Sequence, residues 1–313
     1  MRKALAQFSC NEGLSDMFEG FTRHDVDLGE VEIHCVVGGG DGPAVLLLHG
    51  YPQSLEQWAD TASHLVGEFT VVCADLRGYG QSSKPHDTGE TYSFRSMGAD
   101  MLALMSHLGF DHFAVVGHDR GGRVAHRMAL DAPERITALV PCDVVPTWAM
   151  YHGVDRARAA RFWQWYFLPL PAPFPERLIG GDPDYYFENC LVSNGGVEIT
   201  DGFGAEQLAA YRRAWRDPDM ISASCADYRA GATIDLEHDA IDLDVSLPVP
   251  TFPVWAADGL LKELFDIERE WKARCARVEV TTVPGGHFFP DQAPRETAEI
   301  ISSVMARVTG ASA

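Results

Sequence analysis

One hexapeptide constrains this chain more than any other: Gly117-His118-Asp119-Arg120-Gly121-Gly122. It follows a short apolar run at residues 114–117 and precedes a segment with helical character at 123–130. Small residues on both sides of Asp119 let the chain turn sharply where a Cβ would collide with the opposite arm of the turn. Such a turn presents the middle side chain, here a carboxylate, at the end of a strand. The plainer reading is a glycine-rich strand–helix turn in which Asp119 caps the helix.

The surroundings of the hexapeptide favour an α/β fold. Short, nearly unbroken apolar runs recur at residues 44–48, 70–74, 114–117, 138–145, 251–256 and 278–283. Runs of this kind predict strands buried on both faces of a parallel sheet. Helical segments, such as 123–130 and 295–308, lie between and after them, giving the alternation of an α/β protein. The pattern stops between residues 147 and 243, where aromatic and arginine-rich stretches (RFWQWYF, DYYFEN, AYRRAW) predict helices and loops. The expected organisation is therefore a discontinuous domain of residues 1–146 and 244–313, covered by a helical insertion of residues 147–243.

The composition narrows the partners. The formal net charge of −20 argues against nucleic-acid binding, which needs a basic face. It also means that an anionic ligand would need concentrated local positive charge. Hydrophobic residues make up 46% of the chain, enough for a full core. No apolar run reaches the roughly 18 residues of a membrane span. The seven cysteines (Cys10, Cys35, Cys73, Cys142, Cys190, Cys225 and Cys275) stand singly. They predict neither a disulfide framework nor a zinc site, but buried small hydrophobes in a reducing compartment. The N-terminus carries Arg2 and Lys3 without an apolar stretch of signal-peptide length, so a cytoplasmic location is expected.

Two further motifs belong with the first. His49-Gly50-Tyr51-Pro52 directly follows VLLL and reads as an oxyanion loop, with the backbone N–H groups of Tyr51 and Arg120 as donors. Gly285-Gly286-His287-Phe288 follows the last apolar run, which puts a histidine last in the order nucleophile, acid, histidine. Taken alone, the first is an ordinary turn and the second a structural histidine. Arg120 adjoins Asp119, and Arg123 lies four residues further along the same helical face. Two guanidinium groups beside one carboxylate suit a second carboxylate, that of a substrate, through paired N–H donors at a helix N-terminus. The alternative is an Arg–Asp surface pair of little energetic consequence.

HGYP, DLRGYGQSS (Asp75 to Ser83), GHDRGG and GGHF together resemble the α/β-hydrolases that use an aspartate nucleophile: haloalkane dehalogenases, haloacetate dehalogenases and epoxide hydrolases. The resemblance covers residues 30–145 and 245 to the end. Within the group, Asp119-Arg120-Gly121-Gly122-Arg123 is similar to the fluoroacetate (haloacetate) dehalogenases, where haloalkane dehalogenases have Trp after the nucleophile. The fold so implied is an α/β-hydrolase fold, a mostly parallel sheet flanked by helices with an inserted helical cap.

The resemblance carries further expectations. It implies Asp143, after ALVPC, as the acid that orients His287. Asp258, after FPVWAA, is the competing candidate, and its plainer reading is an ordinary loop aspartate. The segment 161–167 is similar to the family's aromatic cap helix, so that Trp165 and Tyr228 match the Trp and Tyr of the halide pocket. Gln164 falls where fluoride-active members have His. Trp163 and Phe167 read better as core packing. The reaction implied is hydrolytic dehalogenation of small 2-haloacids through an ester of Asp119, with chloroacetate or bromoacetate favoured over fluoroacetate. No metal or organic cofactor is implied, the expected partner is a small anionic substrate, and a homodimer is suggested. The competing functions are epoxide hydrolysis by the same nucleophile, with Tyr228 as an acid, and a non-catalytic ligand-binding protein on this fold.

Overall fold

The computed structural model describes residues 16–310; Arg2, Lys3 and Cys10 lie outside them. Its centre is an eight-stranded sheet in the order β1-β2-β4-β3-β5-β6-β7-β8. The strands are β1 (Thr22–Asp27), β2 (Glu32–Gly38), β3 (Ala44–Leu48), β4 (Thr70–Ala74), β5 (Phe113–His118), β6 (Ile136–Cys142), β7 (Val254–Ala256) and β8 (Thr281–Val283). β1 and β2 pair antiparallel, β2 meets β4 antiparallel, and all pairs from β4 to β8 are parallel.

Every residue of β3, β4 and β5 is buried, because helices cover both sides of the sheet. Alternation divides their side chains between two cores. Leu46, Leu48, Val115 and Leu139 belong to one face, while Val45, Leu47, Val116 and Val140 belong to the other. Burying a side chain of this size contributes about 1.5–3 kcal/mol relative to exposure. The helices α1 (Ala59–Leu65), α2 (Phe94–His107) and α3 (Arg120–Asp131) lie between the first strands, α2 packing on α3.

Between β6 and β7 the chain is mostly helical from residue 147 to 241. It forms α4 (Thr147–Tyr151), α5 (Arg156–Arg161), α6 (Gln164–Phe167), α7 (Phe174–Ile179), α8 (Pro183–Gly195), α9 (Ile199–Gly202), α10 (Ala205–Trp215), α11 (Pro218–Ala232) and α12 (Ile234–Ile241). The short α13 (Leu261–Leu264), α14 (Ile267–Lys272) and α15 (Phe289–Gln292) follow, and α16 (Pro294–Thr309) closes the chain against α1.

Four strands differ from the expected extents, β5 only by one residue at each end. β6 begins two residues early and stops at Cys142 rather than Val145, because Asp143 has φ 48° and turns the chain out of the sheet. β7 and β8 are three residues each, preceded by the isolated bridges Leu139↔Thr251, Leu247↔Cys275 and Thr251↔Val278. Pro248, Pro250 and Pro253 lack the N–H a continuous ladder needs. The β1–β2 hairpin and α2 carry no sequence motif. The six described cysteines are free and buried. Among the described residues no helix is long and apolar enough to cross a membrane.

Candidate active site

The site forms where parallel strands end together. His118 pairs with Cys142, so β5 and β6 finish level and the next residues, Asp119 and Asp143, stand side by side beyond the C-terminal ends of the strands. Both have left-handed backbones, φ 45° and 48°, an unusual conformation for non-glycine residues that costs about 1–3 kcal/mol each. Fixed neighbours maintain it: Asp119 N donates to Cys142 O at 3.2 Å, and Asp143 N to Val254 O at 2.7 Å.

The glycines of the elbow are required by close backbone approach. A Cβ on Gly117 would lie 2.2 Å from the Gly121 carbonyl oxygen, and one on Gly121 would lie 2.5 Å from the carbonyl oxygens of Leu48 and His49. Gly121 N in turn donates to His49 O at 3.0 Å, which ties α3 to the loop after β3. That loop brings Tyr51 N to 3.1 Å from Asp119 Oδ2, so a backbone donor sits on the carboxylate.

His287 enters from the loop after β8. Its Nδ1 lies 2.6 Å from Asp143 Oδ2, while Asp143 Oδ1 accepts from Ala256 N at 3.1 Å. Asp258 is exposed, and its backbone N donates to Gly285 O at 3.1 Å, which helps to shape the histidine loop. The His287 main chain is held from two sides: its N donates to Asn194 O at 3.3 Å, and its carbonyl accepts from His118 Nε2 at 2.8 Å. Burial, then the neighbouring His287, push His118 down to about 3, so it stays neutral in this role.

These groups perturb one another. Burial would raise the Asp119 carboxyl, but His287, His118, Arg120 and Arg123 outweigh it and hold it below its usual 3.8. Burial would lower His287, but the hydrogen bond and charge of Asp143, then the charge of Asp119, raise it above 6.5. The result is a carboxylate ionised at neutral pH beside a histidine that gains a proton more easily than a free one.

A cavity with about 630 Å³ of non-atom space, part of it open to solvent, contains Asp119, Asp143 and His287 in its wall. Tyr51, Arg123, Gln164, Trp165 and Tyr228 line it as well. Arg123 Nη1 donates to Val145 O at 3.0 Å and to Thr147 Oγ1 at 3.3 Å. Its guanidinium lies 4.4 Å from the Trp165 ring, a cation–π contact that orients it. Burial and then Arg120 push Arg123 down to about 10, which leaves it cationic at neutral pH. Trp165 and Tyr228 meet edge to face at 5.4 Å, and Tyr228 meets Tyr51 at 5.1 Å. Gln164 Nε2 is buried without a hydrogen-bond partner: the Cys190 thiol is within reach of the side chain, yet Nε2 makes no bond of acceptable geometry.

Arg120 departs from the expected pairing of two guanidinium groups on one ligand. It is fully buried and is not part of the cavity wall. Its Nε donates to Asp227 Oδ2 at 2.9 Å, and its Nη2 donates to Asp227 Oδ1 and, at 2.9 Å, to the Asp227 carbonyl. Only Nη1 has no partner. Burial would lower the Arg120 pKa, but Asp227 reverses this and raises it. Sequence reasoning missed Asp227. No motif marks it, and its one local signal is that it precedes Tyr228. Cys190 and Asn194, also in the cavity wall, carry no signal at all.

Comparison with known proteins agrees with this geometry. Residues 43–294 match the family described as alpha/beta hydrolase fold. The chain is 52% identical over 287 residues to a fluoroacetate dehalogenase from Burkholderia sp., covering 91% of this chain and 94% of the relative. It is 32% identical over 289 residues to a soluble epoxide hydrolase from Corynebacterium sp. (strain C12), covering 88% and 93%. The structure of an alpha/beta hydrolase from Nostoc sp. PCC 7120 superposes with a TM-score of 0.90 at 42% identity, covering 92% of this chain and 99% of the other. An elbow bearing aspartate, a histidine last in the chain and a 52% identical relative place the protein: it is a hydrolase of the fluoroacetate (haloacetate) dehalogenase family within the α/β-hydrolases.

Proposed function

We propose that the protein hydrolyses the carbon–halogen bond of small 2-haloacids through an ester of Asp119. The observation that carries this reading is that one cavity wall holds an ionised carboxylate on a rigid elbow and the guanidinium of Arg123. An anionic substrate is the ligand such a cation serves in a protein of net charge −20.

In the first step Arg123 binds the substrate carboxylate, and Arg120, buried behind the cavity wall, adds its positive charge with Nη1 as its one unpartnered nitrogen. The Asp119 oxygen not held by Tyr51 attacks the α-carbon, and the carbon–halogen bond breaks with its electron pair leaving on halide. Trp165 N–H, Tyr228 O–H and the Gln164 amide receive that halide. The reaction depends mainly on placing the carboxylate about 3–3.5 Å from carbon in line with the leaving group.

In the second step His287, oriented by Asp143, takes a proton from water as the water adds to the ester carbonyl. The N–H groups of Tyr51 and Arg120 hold the oxyanion. Collapse breaks the bond between the Asp119 carbonyl carbon and the substrate oxygen. The leaving oxygen takes the proton back, and the hydroxyacid departs. Helices α4–α12 act as a cap over the cavity, and chloroacetate or bromoacetate is turned over more readily than fluoroacetate. The active unit is a homodimer.

The test is halide release from chloroacetate measured beside diol formation from a simple epoxide. Halide release without diol supports the reading. Diol without halide transfers the same nucleophile to epoxides, with Tyr228 as the acid. Neither product leaves a binding protein.

A further inference from the structure

The ion pair between Arg120 and Asp227 crosses from the nucleophile elbow to the helical insertion. Arg120 is the first residue of α3, and Asp227 lies in α11, immediately before Tyr228. Both are fully buried. The Tyr79 hydroxyl donates to Asp227 Oδ2 at 2.6 Å and so fixes the carboxylate from a third element. The Arg120 guanidinium lies 4.2 Å from the Tyr228 ring and 4.5 Å from that of Phe94, which leaves its plane little freedom.

The arrangement has a consequence for binding. A guanidinium chelates a carboxylate through two parallel N–H groups, and the Nε–Nη2 edge of Arg120 is already used in this way on Asp227. A substrate carboxylate has only Nη1 left. The charges also cancel: Asp119 and Asp227 balance Arg120 and Arg123 in the immediate surroundings.

We propose that Asp227 is a resident counter-ion that occupies the chelating edge of Arg120, limits the affinity of the site for carboxylates, and leaves Arg123 as the principal anchor. Its role is positioning and specificity; it does not touch the reacting atoms. The inference rests on the haloacid reading given above. Because the hydroxyacid product carries the same carboxylate as the substrate, a resident counter-ion also keeps the product from being held too tightly.

Acetate, an unreactive carboxylate, is the probe, with binding measured by titration calorimetry on the full-length protein. Asp227→Asn removes the competing charge while keeping the shape. It is expected to bind acetate at least about ten-fold more tightly than wild type, and glycolate inhibition should strengthen in parallel. Unchanged or weaker acetate binding by a folded Asp227→Asn protein would overturn the inference. An uncompensated buried guanidinium is costly, so that variant can fail to fold. The double variant Arg120→Gln/Asp227→Asn leaves no unpaired charge and decides that case. It should lose less acetate affinity than Arg123→Gln, and an equal or greater loss would count against the proposal. A wild type that neither binds acetate nor releases halide from chloroacetate overturns the proposed function and the inference with it. A dehalogenating wild type without the Asp227 effect overturns the inference alone.

Discussion

Asp143 Oδ2 and His287 Nδ1 lie 2.6 Å apart across 144 residues of sequence, and the other Asp143 oxygen is occupied by Ala256 N. The imidazole is thereby fixed with Nδ1 toward the acid and its other nitrogen free to serve water. His287→Asn should therefore block ester hydrolysis and spare ester formation. Intact-mass measurement after chloroacetate should show a stable adduct on the protein. Full steady-state turnover with no adduct would remove His287 from the reaction.

Asp119→Asn should abolish turnover, because a neutral amide is a poor nucleophile. The backbone that presents residue 119 is fixed by strand register and by the glycines around it, so the variant should keep its fold. Halide release at the wild-type rate, with deamidation excluded by mass spectrometry, would show that the nucleophile lies elsewhere.

Arg123→Gln should lower kcat/KM for chloroacetate by roughly ten- to hundred-fold, the effect of losing a charge-assisted hydrogen bond worth about 1.5–3 kcal/mol. Turnover of chloroacetamide, which has no negative charge, should fall much less. Equal losses on the two substrates would make Arg123 a packing residue held by Trp165 rather than an anchor.

The two steps should separate with pH. His287 sits above its ordinary 6.5, so the neutral base is lost as pH falls through a value higher than that. Asp119 sits below 3.8 and stays ionised throughout that range. Single-turnover ester formation should be flat from pH 8 down to about 5, while ester hydrolysis declines on the acid side. Rapid-quench measurement of both steps checks this; parallel decline would mean that one group governs both.

Fluoride is the hardest of these halides to expel, and its departure depends on strong donors that act as charge develops. Gln164 offers an amide nitrogen with no other partner, but an amide cannot become cationic. Gln164→His should therefore raise the ratio of kcat/KM for fluoroacetate to that for chloroacetate. An unchanged or lower ratio in an active variant would show that position 164 does not tune the leaving group.

The parallel core strands were legible because residues buried on both faces must be apolar without interruption, and β3 and β4 begin and end where their apolar runs do. The elbow was legible for a steric reason: the backbone approaches at Gly117 and Gly121 leave no room for a Cβ. β1 and β2 were not legible, since β1 is the half-exposed edge strand and β2 beside it carries polar residues in place of an unbroken apolar run. The shortening of β7 and β8 was written in the prolines before β7, but only pairing showed how many residues it cost.

The sequence by itself determined the fold class and marked the elbow at Asp119 and the loop at His287, because each depends on residues adjacent in the chain whose local geometry follows from glycine placement and strand–helix alternation. It left Asp143 and Asp258 in competition and put Arg120 and Arg123 in one role. Tertiary structure separates the members of each pair by their contacts, since each contact turns on a partner distant in the chain. Strand register brings Asp143 level with Asp119 and within reach of His287, while Asp258 stays at the surface. The ion pair between the elbow and α11 sets Asp227 against Arg120 from 107 residues away, and Arg123 faces the cavity while Arg120 faces a carboxylate of the protein itself.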